Sequence, residues 1–281
     1  GLYRALNALI ESADMHIAID PTPSWSDPTR TADLVLAAVP LAPTEAQFDA
    51  SWWQAWERAD LLAAAAVETV LGSHTGSPTG MQAARAVAAV VPEDGQLFLA
   101  ASSVVRFVGS FAGRSLAGIA VSGNRGTSGI DGCISTAWGV AVASQSAGAG
   151  PTVALVGDEA FWYDSNALAV PASEPRPDLV IVVLDNDGAG IFSTLEQGAA
   201  PFRSHFERVF GTPLDIKLAE LADSYGANVH TATDLDHLQA SVAERLSDGV
   251  HVVVLRTCER TREAEVLDSI RDAVSQAISS G

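Results

Sequence analysis

Residues 152–159 read Thr-Val-Ala-Leu-Val-Gly-Asp-Glu, and residues 179–188 read Leu-Val-Ile-Val-Val-Leu-Asp-Asn-Asp-Gly. Both are short apolar runs rich in β-branched residues that stop on acidic and amide side chains. Thr152–Val156 and Leu179–Leu184 have the length of strands buried on both faces. A helix over Trp162–Val170 joins them, which predicts a right-handed strand–helix–strand unit with both strand ends on one edge. The alternation continues in both directions. Upstream it predicts helix Gly80–Val91, strand Leu97–Ala100, helix Ser103–Phe111, strand Gly118–Val121, a glycine-rich loop and a small-residue helix to about Ser146. Downstream it predicts helices Ile216–Tyr225 and Leu235–Leu246, strand His251–Leu255, and an amphipathic helix Arg262–Ile278 carrying Val266, Ile270, Val274 and Ile278 at four-residue steps. The fold class is therefore α/β, a parallel sheet covered by helices on both faces.

The first 43 residues look like the end of a domain. They hold a helix and two strands, one within Asp14–Asp20 and one within Ala32–Val39, too little to bury a core alone. Pro40 and Pro43 punctuate the chain, and Thr44 with Gln47 forms a capping-box pattern. A long helix to about Leu71 should follow, with Phe48, Trp52 and Trp56 on one stripe as packing anchors between domains. Boundaries are placed at 1–43, 44–75 and 76–281.

Composition excludes several classes. A chain of 281 residues, 48% hydrophobic and 18% charged, is globular in character. No apolar run approaches the roughly 18 residues of a membrane span, and the amino terminus lacks an export pattern. Cys133 and Cys258 are the only cysteines, with no ligand-spaced partner, which excludes a disulfide framework or a zinc site. A net charge of −18, with fifteen arginines and a single lysine, Lys217, all scattered, disfavours nucleic acid. The six histidines show no metal or triad spacing and are read as surface or capping residues. The expectation is a soluble cytoplasmic protein.

Ligands of open parallel sheets bind outside the carboxyl ends of the strands. The two quoted strand ends bring a carboxylate, Asp158, and a carboxamide, Asn186, within reach of a common point. Hard oxygen donors of this kind suit Mg²⁺, which is usually held by one or two protein groups plus substrate phosphates. Gly157 allows a tight turn into the following helix, whose first N–H groups favour an anion. Turn residues and caps explain the same Asp and Asn equally well.

The spacing resembles the thiamine-diphosphate signature: Gly157-Asp158, twenty-six residues, then Asp185-Asn186. Residues 123–132, Gly-Asn-Arg-Gly-Thr-Ser-Gly-Ile-Asp-Gly, resemble the glycine loop of one branch of that superfamily. The branch is 2-succinyl-5-enolpyruvyl-6-hydroxy-3-cyclohexene-1-carboxylate (SEPHCHC) synthase of menaquinone biosynthesis. Residues 162–168 and 190–193 are similar to that family's stretches after each metal ligand. The resemblance runs from about Leu97 to the carboxyl end, and the first 75 residues fit the tail of the family's central α/β domain and its connector. It implies the thiamine-diphosphate-binding fold, with residues 76–281 as the diphosphate- and magnesium-binding domain. Thiamine diphosphate and Mg²⁺, or Mn²⁺ in its place, are the implied cofactors. The implied metal ligands are Asp158, Asn186 and the Gly188 carbonyl. Cofactor contacts are implied for Ser128, Ile130, Gly157, Glu159, Ala160, Ile191, Phe192 and Leu195; the apolar residues among them would otherwise be read as core. The chain departs from the pattern at Glu159, where many members have glycine, and at Asp185, which replaces an asparagine.

The family decarboxylates 2-oxoglutarate and adds the product carbanion to isochorismate. Both substrates are polycarboxylates, which guanidinium forks hold well. Between Arg85 and Arg176 the basic residues are Arg106, Arg114 and Arg125. Ser102 and Arg106, four apart on one helix face, resemble the family's substrate clamp, and Arg125 its loop arginine; Arg114 is read as surface. The ylid-promoting glutamate of the superfamily lies on a pyrimidine-binding domain, and nothing upstream of Leu97 resembles it. The chain thus looks like the carboxyl-terminal half of the enzyme, poorly active alone, completed by a pyrimidine-binding domain of the same or another subunit in a homodimer or homotetramer. Two alternatives stay open. One is another decarboxylase or carboligase related to acetolactate synthase, and the other is a non-catalytic binding or assembly module.

Overall fold

The computed structural model describes residues 4–22, 27, 29–39, 49–124 and 129–280. The Thr44–Gln47 capping pattern, Phe48, Arg125, Ser128 and the side chain of Arg114 lie outside them. The chain divides into two compact units, residues 1–57 and 58–281.

In the first unit, α1 (Arg4–Glu11) precedes two three-residue strands, β1 (Ile17–Ile19) and β2 (Leu34–Leu36), paired in parallel. Ala18 is buried, while Met15, Ile17, Ile19 and Leu34 are exposed. The loop between the strands is organised by Asp27, which accepts from Arg30 N–H and Ala32 N–H, both at 2.9 Å. Helix α2 (Ala50–Ser73) begins here and runs into the second unit. The Asp49 carboxylate accepts the Ser51 and Trp52 amides at 2.9 and 3.1 Å, so among the described residues Asp49 is the N-cap. Trp52, Trp53 and Trp56 are exposed.

The second unit is built on one sheet. α3 (Gly80–Ala88) leads to β3 (Gln96–Leu99), α4 (Ser103–Phe111), β4 (Ala120–Gly123), α5 (Cys133–Ser146), β5 (Thr152–Gly157), α6 (Asp158–Tyr163) and β6 (Leu179–Asp185). Short helical turns follow, among them α7 (Arg203–Phe206). Then come α8 (Leu218–Ser224), β7 (Asn228–Ala232), α9 (Leu235–Ala243), β8 (Val250–Arg256) and α10 (Arg260–Ser280). All six strands are parallel, in the order β4-β3-β5-β6-β8-β7, and helices flank the sheet. Strand β6 sits centrally, and Leu179 to Leu184 are all buried. Each such side chain contributes on the order of 1.5–3 kcal/mol, which makes β5 and β6 the rigid floor of whatever stands at their ends.

Three expectations change. Strand β4 lies two residues later than predicted. The helix expected over Trp162–Val170 is instead α6 plus a 3₁₀ turn, Ser165–Leu168. Asp164 ends α6 because its buried carboxylate turns to α5, accepting from Ser135 N–H at 2.7 Å and Ser135 Oγ at 3.1 Å. Strand β7 was not foreseen: it is an edge strand, mostly exposed or half-buried, and its sequence Asn-Val-His-Thr-Ala has no continuous apolar run. Nor are His230 and His251 simple surface residues. His230 Nε2 and His251 Nδ1 lie 3.4 Å apart across β7 and β8, and burial lowers both imidazole pKa values.

Candidate functional site

Parallel register sets the site. Gly157 pairs with Leu184, and Asp185 with Arg256, so β5, β6 and β8 end at one level. Strand β3 neighbours both β4 and β5, so the chain leaves it in opposite directions, the arrangement that opens a crevice at the strand ends. A cleft of about 480 Å³, open to solvent, lies there. It is bounded by Ser102, Ile130, Asp158, Asn186, Gly188 and Glu263 among others.

Asp158, the first residue of α6, is 8% exposed. Its Oδ2 accepts the Gly188 N–H at 2.7 Å and its Oδ1 the Glu159 N–H at 2.9 Å, which ties the end of β5 to the loop after β6. Burial pushes its carboxyl up to about 7, with Asp185 and Glu159 adding repulsion against those two hydrogen bonds. Asn186 shares the cleft, and its Oδ1 is buried with no hydrogen-bond partner. A buried orphan of this kind costs about 1–3 kcal/mol unless something meets it. Gly190 makes the room, because a Cβ there would come within 2.6 Å of the Asn186 amide nitrogen. Gly188 has φ +126°, and its carbonyl accepts the Gly190 N–H at 2.8 Å, leaving a second lone pair.

The neighbouring charges are already committed. Asp185 pairs with Arg256 at 2.8 Å across β6 and β8. Glu159 accepts from the Thr212 hydroxyl. Arg260 donates to the Gly211 carbonyl at 2.6 Å and pairs with Glu207 at 2.8 Å. Asp158 thus has no cationic side chain bonded to it among the described residues. A divalent cation would compensate its charge and occupy the Asn186 oxygen, so the donor set fits Mg²⁺. No group of three or more His, Cys, Asp or Glu side chains able to hold a metal occurs among the described residues. A cation here would therefore draw its remaining ligands from backbone, water or phosphate oxygens, as Mg²⁺ commonly does.

The structure places Gly157, Asp158, Glu159, Ala160, Asn186, Gly188, Ser102 and Ile130 around this cleft. Ser102 sits there in a strained backbone conformation, φ +75°, and Arg106 Nη1 donates to its carbonyl at 2.5 Å. Arg106 itself does not bound the cleft. Ile191, Phe192 and Leu195 follow Gly190, which bounds the cleft: the Phe192 ring packs on Phe210 with centroids 5.5 Å apart, and Leu195 is exposed. Cys133 is buried, which raises its thiol pKa and suits packing. Sequence reasoning missed Gly190, Thr257 and Glu263 as cleft residues. Glu263 left a signal, since it falls on the stripe of Val266 and Ile270, where a carboxylate is out of place.

Residues 112–255 match the family described as thiamine pyrophosphate enzyme, C-terminal TPP binding domain. Over 281 residues the chain is 39% identical to the 2-succinyl-5-enolpyruvyl-6-hydroxy-3-cyclohexene-1-carboxylate synthase of Thermobifida fusca (strain YX), covering 99% of this chain and 48% of that one. The synthase of the same name from Kineococcus radiotolerans is 38% identical over 280 residues, with the same coverage. The chain thus spans about half the length of these curated relatives. Among solved structures, benzoylformate decarboxylase from Polynucleobacter necessarius superposes with a TM-score of 0.51 at 22% identity, over 63% of this chain and 32% of that one, a likeness of fold. No described helix is long and apolar enough to cross a membrane.

Proposed function

The chain belongs to the thiamine pyrophosphate enzymes, whose C-terminal TPP binding domain it carries, and from that premise we propose that it is the diphosphate-binding half of a SEPHCHC synthase acting in menaquinone biosynthesis. The observation that carries the cofactor reading is the buried, unpartnered Asn186 oxygen on the same cleft as the uncompensated Asp158. In this reading Asp158, Asn186 and the Gly188 carbonyl hold Mg²⁺, and the cation anchors the diphosphate at the ends of β5 and β6. Thiamine diphosphate, when bound, supplies the carbanion stabilisation that decarboxylation of a 2-oxo acid requires. The chain's own part is positioning. Ile130 supports the cofactor's shape. Ser102 and Arg125 hold the carboxylates of 2-oxoglutarate and isochorismate, and Arg106 fixes the Ser102 backbone. The work is cytoplasmic and is completed by a pyrimidine-binding domain in a homo-oligomer. The relatives' printed names support the choice of synthase.

With the pyrimidine-binding domain supplied, Arg125→Ala is expected to lower kcat/KM for isochorismate at least about tenfold more than it lowers 2-oxoglutarate decarboxylation, the order of one lost charge-assisted hydrogen bond. Equal losses in both would favour a decarboxylase that does not use isochorismate. Robust synthase turnover by the 281-residue chain alone would overturn the half-site reading.

A further inference from the structure

A second buried carboxylate faces the cleft and has no place in the metal set. Glu263, in the first turn of α10, is 5% exposed. Its Oε2 accepts the Gly80 N–H at 2.5 Å, 183 residues away in sequence, at the start of α3. Its other oxygen has no hydrogen-bond partner among the described residues, and Glu263 bounds the cleft that holds Asp158 and Asn186.

Every element packed around Glu263 leaves its charge unanswered. From α3 come Gly80, with no side chain, and Thr79, whose hydroxyl is used in the capping box with Gln82. From α4 comes the Phe107 ring, so close that a Cβ on Gly80 would lie 2.6 Å from it and 2.8 Å from Glu263 Oε2. From α6 comes Asp158, a charge of the same sign. The stretch before α10 offers Cys258, a thiol whose pKa burial pushes up to about 12. Arg260 is turned to Gly211 and Glu207, and the exposed Arg262 pairs with Glu265 at 3.0 Å. Burial, with Asp158 adding to it, pushes the Glu263 carboxyl up to about 7.

Resting on the thiamine diphosphate reading, we propose that Glu263 is a proton-carrying contact for the diphosphate: it enters the loaded cleft as the neutral carboxylic acid, Oε2 still accepting from Gly80 and the second oxygen donating its O–H to a phosphate oxygen. An ionised Glu263, with no cationic side chain bonded to it among the described residues, would face an anion, whereas the acid offers a donor. Capture by a chain in which Glu263 is ionised then takes one proton from solvent at this residue, and no other bond is made or broken.

Two measurements on the 281-residue chain separate this inference from the reading beneath it. The first uses no ligand. A group whose pKa is raised by folding stabilises fully below its unfolded value, and that contribution is lost as pH rises through the folded value. Glu263→Gln cannot ionise and keeps an acceptor for Gly80, so its Tm should gain on the wild type by roughly 4 °C between pH 5.5 and 8.5. The second is calorimetric titration of thiamine diphosphate at saturating Mg²⁺ in HEPES and in Tris, which differ in ionisation enthalpy. At pH 8.5 the variant should bind about tenfold tighter than the wild type and take up about one proton fewer; at pH 6 the two should agree within about twofold. Parallel binding profiles with equal proton counts would overturn the role of Glu263. If the Tm difference appears but neither protein binds thiamine diphosphate, the cofactor reading itself falls and takes this inference with it.

Discussion

Asp158→Asn is expected to weaken magnesium-dependent binding of thiamine diphosphate by roughly 100-fold or more, while the cofactor-free chain stays as stable as before or becomes more so. Loss of an outer-shell partner of a metal typically costs 10–100-fold in affinity, and a charged ligand sits above that range. The stability half of the expectation follows from the charge. Folding raises this carboxyl from its ordinary 3.8 to about 7 because it is buried beside Asp185 and Glu159. The folded chain therefore keeps a proton that the unfolded chain has released over that window. Stability from the neutral form is complete below the lower value and gone above the upper one. Asparagine never ionises and still offers an oxygen to one of the two amides that Asp158 serves. Its advantage over the wild type should grow from pH 5.5 to pH 8, read by urea unfolding. A variant that loses stability at pH 8 and keeps binding would reverse both halves of the account.

Gly188→Ala should have the largest effect on the fold, about 3 kcal/mol or more of lost stability by chemical denaturation. Two causes add. The backbone at φ +126° is one that side-chain-bearing residues rarely adopt, and a Cβ there would overlap the Gly211 carbonyl oxygen. That oxygen has little freedom to retreat, because Ala189 N–H holds it at 3.0 Å and Arg260 at 2.6 Å. Strain and overpacking of this kind each cost about 1–3 kcal/mol. Gly157→Ala is the control: nothing lies within 4 Å of its added Cβ and φ is −83°. Similar stability losses in the two variants would show that the loop after β6 is softer than described.

What could be read from the sequence follows burial. β5, β6 and β8 are covered on both faces, so their apolar runs are continuous and their ends predictable to within a residue or two. Asp158 and Asn186 were placed by those ends. Edge strands carry weaker patterns: β4 was displaced by two residues and β7 was invisible. Local rules also miss long-range bonds. Nothing near Asp164 announces that it serves Ser135, and that bond shortens the helix expected after β5. Ile191, Phe192 and Leu195 show the opposite limit. Their apolarity is plain in the sequence, but whether it faces a ligand depends on the turns after β6, whose packing, such as Phe192 on Phe210, local rules do not give. Glu263 was legible in principle, as an acid on a buried stripe, yet its purpose depends on a cleft assembled from residues 80 to 263.

The central claim is that the ends of β5 and β6 form a site for a divalent cation and a diphosphate. Calorimetric titration of thiamine diphosphate into the folded 281-residue chain, once with Mg²⁺ and once with chelator, tests it most directly. The account predicts saturable one-to-one binding with Mg²⁺, weakened at least about tenfold by the chelator, since the cation carries the main link between Asp158 and the phosphates. Binding of equal strength in both titrations, or none in either by a chain whose fold is verified by circular dichroism, would contradict it.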